Sequence, residues 1–130
     1  MDGSLLDAAS ALHPPGIVVE ATGAGNTAAP LLEAAIRAME RGIVVVFASR
    51  CPAGAAGTGY AFPGGGATWQ RAGALLAGHL TGPKARIAVA AGLGAGLDRA
   101  GLADLLADPP GWVPVLDGAP RPPAGVAASA

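Results

Sequence analysis

Cysteine occurs once in this chain of 130 residues, so no intramolecular disulfide and no cysteine-built zinc site can form. The two histidines, His13 and His79, are far apart, which argues against a histidine metal centre, and no metal is expected. Aromatics make up 4% of the residues, too few for a base-stacking platform. Charged residues make up 13% and leave a net charge of −1, which offers no electrostatic footprint for nucleic acid or anionic membrane. Every apolar run is broken by Gly, Pro or charge before the ~20 residues a membrane helix needs. The opening MDGSLLDAASAL lacks the basic stretch of a secretory signal, so a cytoplasmic location is expected.

Glycine and proline, by contrast, are abundant: 21 and 12 residues. That share reaches the level at which low-complexity disorder is a live reading. A disordered chain, however, combines low hydrophobicity with high net charge, and this one is 52% hydrophobic. The Gly and Pro therefore belong to loops, caps and a tail around an apolar core. One domain is expected over residues 1–108, followed by a disordered Pro/Ala-rich tail over 109–130, with Trp112 and Val113 packed back on the body.

Residues 4–12 read as a short helix with Ser4 as N-cap and Leu5, Leu6, Ala9 and Leu12 on one face. Residues 17–21, Ile-Val-Val-Glu-Ala, read as a strand. A glycine-rich turn follows, then a helix over 28–41 with Pro30 in its first turn and Gly42 at its end. Residues 43–48 form the strongest strand. Their lack of alternation predicts burial on both faces, as in a parallel sheet joined by a right-handed crossover. Residues 49–66 read as a long functional or mobile loop, and 74–77 as a short strand. Thr81 and Pro83 open a helix over 82–93, and Asp98 caps a last helix over 99–107 that turns Leu102, Leu105 and Leu106 inward. The fold class is α/β: a small three-layer, Rossmann-like parallel-sheet domain with a thin sheet.

Two loops at the carboxyl ends of the first two strands collect the candidate functional residues, where ligands of open α/β sheets bind. Residues 23–28 fit G-x-G-x-x-A, and free amides at such a turn attract anions. The acidic residue that a dinucleotide fingerprint wants about 20 positions on is replaced by Ser49 and Arg50. Three readings stay open there: a tight βα turn, a carboxylate or amide contact, or a small nucleotide-binding module. Arg50 could pair with a neighbour's carboxylate or satisfy loop carbonyls. Cys51, with no histidine near it in sequence, reads as a small buried hydrophobe. Lys84 and Arg86 stand in a first helical turn, where the helix dipole disfavours cations, so each calls for a specific anionic or carbonyl partner or else a solvated turn. No Ser-His-Asp, Cys-His or paired-carboxylate pattern is present, so no catalytic residue is assigned.

Three segments in order carry a family resemblance. Residues 16–26, GIVVEATGAGN, look like the "GIV…GxGN" segment of bacterial-type L-asparaginases and glutaminase-asparaginases. Residues 45–54, VVFASRCPAG, are similar to that family's "VVxSSRxxxG", and 73–86, GALLAGHLTGPKAR, resemble its "GxxxAGxLxxxKAR". The resemblance covers residues 1–107. It implies the smaller, C-terminal of two α/β domains, since the "TGGTI" nucleophile motif of the N-terminal domain is not in this sequence. It further implies hydrolysis of the asparagine side-chain amide by the full enzyme, through a threonine acyl-enzyme and without a cofactor. The expected partners are an N-terminal catalytic domain and a second subunit, in a homo-oligomer. Asn26 matches the family's residue that reaches the neighbour's active site, and it is the expected substrate contact. Ser49, Arg50, Lys84 and Arg86 are expected at the interface or its loops. No carboxylate stands at 62–67, where some members supply a glutamate. The family's domain opens with a strand before the first helix. Without it, an open sheet edge beside residues 17–21 is expected, and without the nucleophile, base and oxyanion site of the N-terminal domain the chain alone is expected to be inactive.

Overall fold

The computed structural model describes residues 2–52 and 54–107. The elements run α1 (Ser4–Ser10), β1 (Gly16–Ala21), α2 (Ala29–Glu40), β2 (Val44–Ser49), α3 (Gly66–Ala72), β3 (Leu75–Thr81), α4 (Gly82–Gly94) and α5 (Arg99–Leu106). The three strands form one parallel sheet in the order β1-β2-β3. The α/β reading therefore holds, and the 109–130 tail, with Trp112 and Val113, lies outside the described residues.

Strand periodicity divides the core into two apolar layers. Ile17, Val19, Val45 and Phe47 pack with Leu6 of α1, Leu31 and Ala35 of α2 and Trp69 of α3. Val18, Val46 and Ala48 alternate to the other face, against Ala85 and Val89 of α4 and Leu102 and Leu106 of α5. β2 is covered on both faces, which is why it reads as an unbroken apolar run. Among the described residues, no helix is long and apolar enough to cross a membrane.

Several local expectations need correction. α1 is capped by Gly3, while Asp2 takes both the amide and the hydroxyl of Ser4. The helix ends at Ser10, and only Leu6 of the four apolar positions is buried. Leu5 is 80% exposed and Leu12 84%. Ser10 is drawn inward instead because its hydroxyl donates to the Leu6 carbonyl at 2.8 Å. A helix that the sequence does not announce stands between the long loop and the third strand: Trp69 lies on α3, closed by Gly73 in the left-handed region at φ 109°. The third strand runs over 75–81, longer than the expected 74–77, and carries His79. Asp98 caps α5 as expected, accepting from the Gly101 amide at 2.8 Å, but Leu105 is 44% exposed, while Leu102 and Leu106 join the core.

α1 is joined to α2 by a two-bond ion pair: Arg37 donates through Nε to Asp7 Oδ1 at 3.1 Å and through Nη2 to Oδ2 at 2.7 Å. The hydrogen bonds from Arg37 hold the Asp7 carboxyl below its ordinary 3.8. A lowered native pKa stabilises the fold fully above the unfolded value and less as pH falls through the native one. Asp7→Asn should therefore lower the melting temperature at pH 7, by a small amount because the pair is exposed. The two melting curves should converge once the solution is acidic enough to protonate Asp7 in the native state. A gap that persists there would assign the effect to helix propensity instead.

Candidate functional site

Asn26 and Arg50 share a cavity at the carboxyl edge of the sheet, of about 250 Å³, lined also by Glu20, Thr22, Thr27 and Leu31. The turn that carries Asn26 closes on itself. The Thr22 carbonyl accepts from the amides of Gly25 at 3.1 Å and Asn26 at 2.8 Å. The Asn26 carbonyl accepts in return from the Thr22 amide at 3.1 Å and the Thr22 hydroxyl at 2.9 Å. Gly23 and Gly25 take φ values of 57° and 118°, which the turn requires and which L side chains rarely adopt. A Cβ on Gly25 would lie 2.5 Å from Cε1 of Phe47, so the backbone of the turn rests directly on that ring.

The long loop after β2 is tied down on the same turn. The Gly57 amide donates to the Ala24 carbonyl at 2.9 Å, and the Thr27 amide donates to the Gly64 carbonyl at 2.9 Å. Asn26 and Gly65 form a short antiparallel bridge. Ser49 is buried at the end of β2. Its hydroxyl donates to the Gly23 carbonyl at 2.6 Å and accepts from the Cys51 amide at 3.1 Å. Ser49 thus holds the turn from below and is a loop-pinning residue. Cys51 is a free thiol, half-buried rather than fully enclosed.

The Asn26 side chain stands apart from this network. Its Oδ1 is buried and has no hydrogen-bond partner. An unpaired buried acceptor costs about 1–3 kcal/mol, so it asks for an external donor. Arg50 is exposed on the rim of the same cavity. Lys84 and Arg86 do not join them. Both are exposed near the start of α4, Lys84 in its first turn and Arg86 just after it, and Arg86 lines a separate cleft with Val18, Glu20, Gly82 and Pro83. Glu20 lines both cavities and went unnoticed in the sequence reading, although a lone charge in an apolar strand was the signal for it. Thr27 and Trp69 were also missed, because their contact spans 42 residues. Among the described residues, no group of three or more His, Cys, Asp and Glu could hold a metal.

A thin parallel sheet between two helical layers, with an asparagine on a glycine-built turn at its carboxyl edge, defines an α/β domain. The Glutaminase/Asparaginase C-terminal domain family matches residues 1–106, and the chain belongs to that family. Thirty-seven chains of solved structures match it. One is "The thermostable L-asparaginase from Thermococcus kodakarensis", with a TM-score of 0.68 over 82% of this chain at 23% identity. The matched part is 32% of that enzyme, so this chain spans about a third of its length. The likeness is one of fold. No curated protein matches the chain.

Proposed function

We propose that this chain serves as the C-terminal domain of an L-asparaginase-like amidohydrolase, completing an oligomer and lending Asn26 to a neighbouring active site. The observation that carries this reading is the buried, unpartnered Oδ1 of Asn26, a residue that lines the cavity shared with Arg50. A donor from a bound amino acid or from the partner's catalytic domain would satisfy it. Ser49 and Arg50 hold and border the presenting turn, and Lys84 and Arg86, away from it on α4, offer positive charge to a partner surface. The single free thiol fits the cytoplasmic location that goes with this reading.

The nucleotide alternative is less well supported. The amides of Gly25 and Asn26 that would cradle a phosphate already donate to Thr22, and that of Thr27 donates to Gly64. Titration with NAD, NADP and ATP should show no saturable micromolar binding.

Two measurements test the proposal. The purified chain should release no ammonia from L-asparagine above blank, since it offers no activated nucleophile; turnover would overturn its assignment as a non-catalytic domain. In an enzyme assembled from this chain and a family catalytic domain, Asn26→Ala should raise KM about 10- to 150-fold, the loss of one hydrogen bond to a charged group. An unchanged KM would remove Asn26 from the site.

A further inference from the structure

We infer that Trp69 is a positioning residue for Asn26, acting through Thr27. The inference rests on the reading of Asn26 as a ligand contact and adds how that contact is held. The peptide unit between Asn26 and Thr27 is fixed at both ends. Its carbonyl takes the amide and hydroxyl of Thr22, and its N–H goes to the Gly64 carbonyl. The Thr27 hydroxyl reinforces the second end, donating to the same Gly64 carbonyl at 3.1 Å. That commits the single hydroxyl proton and leaves an oxygen lone pair free to accept. Trp69 fills it: Nε1 donates to Thr27 Oγ1 at 2.9 Å.

Trp69 is fully buried, and an indole can only donate, so this bond is what satisfies it. The relay Trp69 N–H to Thr27 O–H to Gly64 C=O is polarised in one direction, which strengthens each bond. Trp69 also braces the other flank of Asn26. Its ring stacks on Phe47 with centroids 4.8 Å apart, and Phe47 is the ring on which Gly25 rests. One side chain therefore fixes both neighbours of the asparagine. The asparagine's own acceptor stays unpaired, in the orientation a preorganised contact needs.

Asn26 is the only asparagine in the chain and Gln70 the only glutamine, so the side-chain amide region of a 15N NMR spectrum holds two pairs of signals. Gln70 is exposed and serves as the internal reference. Thr27→Val removes the bridging hydroxyl at nearly constant volume, and Trp69→Phe removes the indole donor while keeping an aromatic ring. In each, the order parameter of the Asn26 side-chain amide should fall from about 0.85, that of a rigid group, to below about 0.6. Gln70 should not change. Thr27→Ser should keep the parent value. An unchanged Asn26 order parameter in either folded variant, or a loss in the serine variant, would overturn the inference. Unfolding of both variants would also overturn it, making the relay part of the fold rather than of the site. Failure of the ligand reading would register separately, as an unchanged KM for Asn26→Ala with the order-parameter pattern intact.

Discussion

Gly25→Ala should lower the melting temperature by about 8–40 °C, and Gly23→Ala by about 4–16 °C, taking ~4–8 °C per kcal/mol for a domain of this size. Both glycines stand at positive φ, 118° and 57°. An alanine there costs about 1–2 kcal/mol from its own backbone. The surroundings separate the two. At Gly23 the nearest group to an added Cβ is Nδ2 of Asn26 at 3.8 Å, an ordinary contact. At Gly25 the Cβ would overlap the Phe47 ring, which is fully buried, stacked on Trp69 and unable to retreat. Overpacking of that kind adds about 1–3 kcal/mol. Thermal unfolding followed by circular dichroism reads both values. Equal losses for the two variants would show that the turn does not rest on the core ring as described.

The isolated chain should self-associate as its concentration rises, and Leu5→Lys combined with Leu12→Lys should return it to a monomer. β1 is an edge of the sheet, and beside it runs an apolar cleft of about 260 Å³ lined by Leu5, Leu6, Ala9, Ile17, Val18 and Val19. The strand carries no proline or lysine to guard that edge, so its outward backbone groups are a template for another strand. Leu5 and Leu12 are so exposed that lysine there should change stability by no more than about 0.5 kcal/mol. Size-exclusion with light scattering measures the outcome. A parent chain that stays monomeric at high concentration would show that the edge is closed in solution.

Much of the fold is readable from local sequence because the relevant rules are local. The apolar run Val44–Ser49 follows from a strand buried on both faces, and α2 from its stripe of Leu31, Leu32 and Ala35. The turn at 23–26 announces itself through glycines that positive φ demands. α3 was hidden for an equally local reason. It begins after Gly64 and Gly65 and has seven residues, too few to display a helical period. Gly64 and Gly65 do not mark a flexible stretch. An added Cβ at either position would collide with backbone, of Thr27 and Tyr60 respectively, so they are glycine to let two chain segments touch.

By itself the sequence determined the class of fold, the position of Asn26 on a glycine turn and the ordered motifs of the family. Those depend on residue type and short spacing. Only the tertiary structure decided what the residues do to one another. It brought Trp69 onto Thr27, placed Ser49 under Gly23, put Arg50 on the rim of the Asn26 cavity and left Lys84 and Arg86 in a different place. The physical reason is that a hydrogen bond or a steric limit acts over a few ångströms of space, whatever length of chain lies between its partners. The loop rich in Gly and Pro is held in place by such contacts, made across the sheet's carboxyl edge, and no composition records them.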